Sequence, residues 1–183
     1  MTPKKMSKKN NPGDNLYTPD YATEMIHQFT PEEWKIWEPA CGTGNIVKYY
    51  QKQNYNIIGT DKETGQDFFK HTESCDCIIT NPPYSIKTEW IERCLQLNKP
   101  FALLLPVSAL GCNDRSKLWS QVDVELLIPN KRIEFMGDTK SNIHFDTVWF
   151  CVGFCIRQIT GYTNNFMKIN KPKRMTTNQL NLF

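Results

Sequence analysis

Ile78-Ile79-Thr80-Asn81-Pro82-Pro83-Tyr84 is the stretch that decides how the rest of the chain is read. The apolar run Cys77–Ile79 has the character of a strand buried on both faces of a parallel sheet. Pro82 and Pro83 end it, because a proline donates no ladder hydrogen bond and holds the preceding residue extended. Asn81 is thereby placed at the carboxyl end of a strand, where open α/β sheets bind their ligands. Its amide oxygen and the Pro82 carbonyl both accept from a planar amino group, and Tyr84 sets a flat ring beside them. The corner suits holding an exocyclic NH2.

Working outward, strands and helices alternate. Thr18 reads as a helix cap with Pro19 at the first helical position, followed by Tyr21, Met25 and Ile26 on one face. Trp34–Trp37 reads as a strand, Glu38-Pro39-Ala40-Cys41-Gly42-Thr43-Gly44 as the loop after it, and Asn45 to about Gln53 as a helix. A glycine-rich turn between strand and helix lets a ligand approach the backbone closely. The full dinucleotide pattern is absent, since Val47 stands where a third glycine belongs. Asn56–Asp61 is a second strand ending in a carboxylate, at the spacing that suits ribose hydroxyls. Too little chain follows for a crossover helix. Asp67 there is placed to accept from an adenine amino group and Phe68 to cover the ring, although one of Phe68 and Phe69 must pack the core. Ile86–Asn98 is an amphipathic helix, Phe101–Pro106 a buried strand, and a helix near Asp114–Gln121 precedes a strand Val124–Ile128. Lys131–Phe135 leads into a polar loop, Met136–Phe145, and Thr147–Ile156 is the last strand, a candidate for hairpin pairing with the segment before it. This order predicts a doubly wound, mostly parallel α/β sheet.

Composition sets limits. With 183 residues and 39% hydrophobic content, one domain with a single core is expected. No apolar run approaches the roughly 18 residues of a membrane span. The seven cysteines are odd in number and scattered, with no CxxC pair, and the three histidines lie far apart. Reduced thiols in a cytoplasmic protein, and neither a disulfide framework nor a metal site, are the reading. The net charge of +3 hides a division. Residues 1–10 carry four lysines, and the tail carries Lys168, Lys171, Lys173 and Arg174; without those eight, 14 basic residues face 19 acidic ones, a net of −5. Basic ends on a mildly acidic body point to a polyanion partner.

Taken in order, Tyr17-Thr18-Pro19, Glu38 to Gly44, Asp61, Asp67-Phe68 and Asn81 to Tyr84 resemble the S-adenosylmethionine-dependent amino methyltransferases, most closely the DNA adenine-N6 type with its short phage and mobile-element versions. The resemblance spans about residues 15–156. It implies a Rossmann-like class I methyltransferase fold with a mostly parallel seven-stranded sheet and one antiparallel strand. It also implies S-adenosyl-L-methionine as cofactor and a flipped adenine at Asn81, Pro82, Pro83 and Tyr84, the catalytic set. Cofactor contacts would come from Tyr17, Thr18, Pro19, Glu38, Pro39, Ala40, Cys41, Gly42, Gly44, Asp61, Asp67, Phe68 and Asn81. In it Gly42 and Gly44 border the methionine part, Asp61 holds ribose, and Asp67 with Phe68 holds adenine. Phe135 and Phe145 are candidates for the second face of the base. RNA adenine or a protein glutamine amide would fit the same acceptors, and a non-catalytic partner subunit would keep the fold without the reaction. Cytosine-C5 chemistry needs a Pro-Cys nucleophile, which the sequence lacks.

The expected organisation is a basic arm (1–14), a catalytic domain (15–160) and a basic tail (161–183). Restriction-type relatives carry a sizeable target-recognition domain, and none fits here, so short or relaxed specificity, or a separate specificity partner, is expected. The partner is read as double- or single-stranded DNA. Gln179-Leu180-Asn181-Leu182-Phe183 looks like the peptide by which bacterial proteins dock on the replicative sliding clamp, with Gln179, Leu180, Leu182 and Phe183 as its contacts.

Overall fold

The computed structural model describes residues 16–135, 146–160 and 166–169. The polar loop with Phe145, the basic arm and the peptide at Gln179–Phe183 lie outside the described residues.

The described residues form seven strands: β1 (Ile36–Glu38), β2 (Ile57–Gly59), β3 (Cys77–Thr80), β4 (Phe101–Pro106), β5 (Val124–Pro129), β6 (Thr147–Val152) and β7 (Phe166–Ile169). They make one sheet in the order β2-β1-β3-β4-β6-β5-β7. β6 runs antiparallel to both its neighbours, β4 and β5, while the other pairings are parallel. Six of the strands come from residues 36–152; the seventh lies at 166–169, so the sheet extends into residues 161–183, which the sequence reads as the tail.

The alternation of side chains along each strand builds a layer on either face of the sheet. Ile36, Cys77, Ile79, Ala102, Leu104, Leu127 and Trp149 point to one face. There they pack on α1 (Asp20–His27) and α2 (Asn45–Lys52), chiefly through Met25, Ile26, Ile46 and Tyr50. Trp37, Ile78, Leu103, Leu105, Leu126 and Phe150 point to the other. They meet α3 (Lys87–Leu97) and α4 (Asn113–Trp119) through Trp90, Ile91, Cys94 and Trp119. Each Ile, Leu, Met or Phe side chain among them, taken fully out of water, contributes about 1.5–3 kcal/mol before chain entropy is subtracted. Trp149 adds a directional tie, its indole N–H donating to the Ala22 carbonyl at 2.8 Å and fixing β6 to α1.

Some boundaries differ from the sequence reading. α1 begins at Asp20 with Pro19 as its cap and no side-chain cap hydrogen bond, so Thr18 does not cap it and Pro19 is not its first helical residue. Thr18 is instead 4% exposed, in the segment leading into the helix. The apolar run from Thr147 breaks at Gly153 (φ +77°) and Cys155 (φ +54°) and ends in a short helix α5 (Ile156–Thr160), not in more strand. A run of apolar residues reads alike in a buried strand and at a buried turn. As expected, no helix joins β2 to β3; the link holds only a 3-10 turn, Lys62–Thr64, and a turn around Asp67–Lys70.

From β1 the chain passes to β2 on one side, then returns to β3 on the other. The carboxyl ends of β1 and β3 therefore lie at the point where the winding reverses, the place where sheets of this kind leave a ligand crevice. No described helix is long and apolar enough to cross a membrane.

Candidate active site

At that crevice β1 ends in Glu38 and β3 in Thr80, followed by Asn81. Glu38 is 1% exposed. Its Oε1 accepts from the Ala40 amide at 3.1 Å and from the Thr80 hydroxyl. Its Oε2 is buried without a hydrogen-bond partner among the described residues. Burial pushes the Glu38 carboxyl up to about 8, and the nearby Asp61 adds to this; the Thr80 and Ala40 donors pull the other way. An acid of this kind holds its proton near neutral pH until a cation arrives to compensate it. Thr80 carries no motif signal. Only its position as the polar residue closing an apolar strand hints at it.

The Cys41–Gly44 loop turns sharply, with Gly42 at φ +48° and Gly44 at φ +78°, a region that side chains other than glycine's rarely adopt. The Gly44 amide donates to the Cys41 carbonyl at 2.6 Å. Asp61 braces the loop from β2's end, its Oδ2 accepting from the Gly42 amide at 2.9 Å and its Oδ1 from the Glu63 amide at 2.9 Å. Each oxygen keeps lone-pair capacity for a ligand hydroxyl. Gly59 was not singled out from sequence. A Cβ there would lie 2.7 Å from Val47 Cγ2, so β2 supplies the missing bulk-free position that Val47 denies to the loop.

Asn81 is held by its nitrogen. Nδ2 donates to the Leu16 carbonyl at 2.8 Å, and Oδ1 is buried without a hydrogen-bond partner among the described residues. Pro82 is buried, and Pro83 leads into the 3-10 turn Tyr84–Ile86 at the head of α3. Tyr84 is 6% exposed, and burial holds its hydroxyl well above the usual phenol range. Phe135 lies beside it, ring centroids 6.5 Å apart at 74°. The two rings meet edge to face, so the chain brings this pair together without forming a parallel clamp. Phe145 lies outside the described residues.

The N-terminal segment reaches the same crevice. The Tyr17 ring stands 3.9 Å from where a Gly42 Cβ would be. The Thr18 carbonyl accepts from Asn45 Nδ2 at 3.2 Å, and Asn45 Oδ1 accepts from the Thr43 hydroxyl at 3.0 Å. From sequence Asn45 reads only as the start of a helix, and Leu16 carries no signal. Cys41 is half-buried in the loop, with its thiol pushed up by burial and by Glu38 and Asp61; Pro39 is buried and Ala40 half-buried beside it.

The Asp67–Phe68 pair divides its tasks. Asp67 Oδ1 accepts from the Phe69 amide at 3.1 Å, and its other oxygen lies 3.9 Å from Lys62 Nζ. Phe68 is 2% exposed and stacks face to face on Trp90, centroids 4.2 Å apart at 9°. Its packing partners are core residues, while Phe69 is 38% exposed. Of the two rings, Phe68 is the one that packs the core.

The sheet order, the single antiparallel strand and the crevice at the reversal define a Rossmann-like class I methyltransferase fold. Among solved structures, the modification subunit of a putative type I restriction enzyme from Vibrio vulnificus shares it, with a TM-score of 0.52 at 14% identity over 77% of this chain and 45% of that one. A dimethyladenosine transferase from Plasmodium falciparum (TM-score 0.48, 13% identity, 75% of this chain and 62% of that one) also matches. So does a putative class I S-adenosylmethionine-dependent methyltransferase from Listeria monocytogenes (0.47, 15%, 79% and 63%). The chain spans less than two thirds of the length of each of these three. At 14% identity the likeness to the first of these speaks for the fold alone. No protein-family model and no curated protein sequence matches the chain.

Proposed function

We propose that this protein transfers a methyl group from S-adenosyl-L-methionine to the N6 amino group of adenine in DNA. The observation that carries this reading is Asn81 Oδ1, a buried acceptor at the end of β3 with no partner among the described residues. A buried polar atom left unpaired costs about 1–3 kcal/mol, and native sites retain such atoms where a ligand completes them. The partner that fits is a donor on a flat group, beside Tyr84.

The residues also fit the cofactor. Gly42 and Gly44 open the loop to a close ligand, Asp61 keeps acceptor capacity, and the unpaired Glu38 Oε2 answers a cationic ammonium. Tyr17, Thr18 and Pro19 line the same end, with Asp67 at the adenine end. When bound, the cofactor supplies an electrophilic methyl.

Adenine N6 is a weak nucleophile because its lone pair is spread into the ring. Asn81 Oδ1 and the Pro82 carbonyl each accept one N6 hydrogen, which favours a pyramidal nitrogen and returns electron density to it. With the cofactor bound, the nitrogen would take the methyl as the sulfonium carbon–sulfur bond breaks to leave a neutral thioether, and would shed one proton to solvent; Asn81, a neutral amide, is not the base. Holding both reactants in line accounts for most of the acceleration. Tyr84 stacks on a base extruded from its helix, with Phe135 near its other side. Transfer of label from the cofactor to DNA, recovered as N6-methyladenine after digestion to nucleosides, tests the proposal.

DNA is favoured as the polymer by the basic residues at 1–10 and 168–174 and by Gln179-Leu180-Asn181-Leu182-Phe183. Docking of this peptide on the sliding clamp would raise the effective concentration of enzyme at replicating DNA. Deleting residues 179–183 is expected to abolish binding to purified bacterial clamp while leaving transfer to free DNA intact. Equal clamp binding by the shortened and full chains would remove the clamp from the account, as would no binding by either.

A further inference from the structure

For Asn81 to accept from an amino group, its oxygen and not its nitrogen must be kept facing the target. A carboxamide is nearly symmetric in shape, and a half-turn of the terminal torsion exchanges the two atoms. Turned the wrong way, Asn81 would present a donor to an amino group that needs an acceptor. In the folded chain the Leu16 carbonyl decides the matter. It accepts from Nδ2 at 2.8 Å, and the turned amide would set oxygen against oxygen at that distance.

Leu16 is itself held. It packs among the apolar residues around Ile78 and Tyr84, and two residues on the Thr18 carbonyl takes the Asn45 amide at 3.2 Å. Asn45 is the first residue of α2, directly after Gly44, and its oxygen is occupied by the Thr43 hydroxyl at 3.0 Å. Its polarity is thus fixed too. Residues 16–18 form a strap whose carbonyls are gripped by two asparagines, one on the glycine loop's helix and one at the catalytic corner.

We propose that this strap is a positioning element for the reaction: the Leu16 carbonyl sets which atom of the Asn81 amide meets the target amino group, and Asn45 keeps the strap in register. The proposal rests on the methyltransferase reading for its effect on rate, though not for its effect on the Asn81 amide. Neither Leu16 nor Asn45 touches the reacting atoms in this account.

The test replaces Tyr17 by its α-hydroxy acid. The Leu16–Tyr17 amide becomes an ester, whose carbonyl is a weaker acceptor, and no side chain changes. The same replacement at Tyr21, in the first turn of α1, is the control. Single-turnover methyl transfer is expected to fall roughly tenfold in the position-17 ester and about threefold in Asn45→Ala. Cofactor Kd by calorimetry and the thermal midpoint should stay near wild type, as should every value for the position-21 ester. In the same samples without cofactor, the Asn81 side-chain NH2 signal, assigned by its loss in Asn81→Ala, should move toward the free-amide position in the position-17 ester. An unmoved signal overturns the proposal, and so does a loss of cofactor affinity or thermal midpoint as large as the loss of rate. Should the wild type transfer no methyl group, the functional reading falls, while the amide signal still decides the strap's role.

Discussion

Asn81→Ala is expected to slow methyl transfer by roughly 10²–10³-fold, the loss usual when one preorganised polar contact to a reacting group is removed. Cofactor affinity should remain largely intact, because the glycine loop is braced by Asp61 and not by the Asn81 side chain. Stability should hardly change. The substitution loses one hydrogen bond to the Leu16 carbonyl, worth about 1 kcal/mol, but also removes a buried oxygen left unpaired, whose burial costs about as much or more. Single-turnover rates, calorimetry with the cofactor and urea denaturation of the same variant separate these effects. A variant that transfers methyl groups at the wild-type rate would refute the role assigned to Asn81.

The second large effect concerns Glu38 and appears in the fold itself. An ordinary glutamate ionises near 4.5, whereas this buried carboxyl does so at about 8. Below pH 4.5 both the folded and the unfolded chain carry the proton, and Glu38 makes stability independent of pH. Between about 4.5 and 8 the unfolded chain has lost the proton and the folded chain has not, so unfolding releases it and stability falls as pH rises. Above 8 both are ionised and the full penalty, roughly a few kcal/mol, is present. Glu38→Gln keeps an acceptor for the Ala40 amide and the Thr80 hydroxyl and removes the titration. Its stability should therefore decline less than wild type's from pH 5 to pH 8, and at pH 8 it should be the more stable protein. The same variant should bind S-adenosylmethionine at least tenfold more weakly, since a neutral amide does not answer an ammonium. A residue whose loss strengthens the fold and weakens the ligand is kept for binding. Parallel pH curves for the two proteins would show that Glu38 is not the buried acid described.

Much of this was legible in the sequence, for identifiable reasons. The runs Cys77–Ile79 and Phe101–Pro106 lie in strands buried on both faces, and a doubly buried strand has no polar positions to interrupt it. Asn81 falls at a strand end because Pro82 permits little else, and Gly42 and Gly44 mark the loop because only glycine takes their backbone angles without strain. What the sequence hid depends on contacts between distant parts of the chain. Every residue has a carbonyl, so nothing distinguishes Leu16 as the acceptor for Asn81. Phe68 and Phe69 are the same residue type side by side, and only the folded contacts, Phe68 flat on Trp90 and tilted against Trp37, show which one packs inward. Gly59 reads as an ordinary strand residue until Val47 is set against it. β7 is four residues long in a polar stretch, too short for its alternation to stand out.

In the proposed reaction the Asn81 corner receives the amino group of a DNA adenine. The most direct measurement offers labelled S-adenosylmethionine to the full chain with double-stranded DNA, single-stranded DNA, RNA and a glutamine-containing peptide in parallel, and analyses the digested products. Label in N6-methyladenine from one or both DNA samples is the predicted result. Label confined to RNA or to the peptide, or found nowhere, would contradict it.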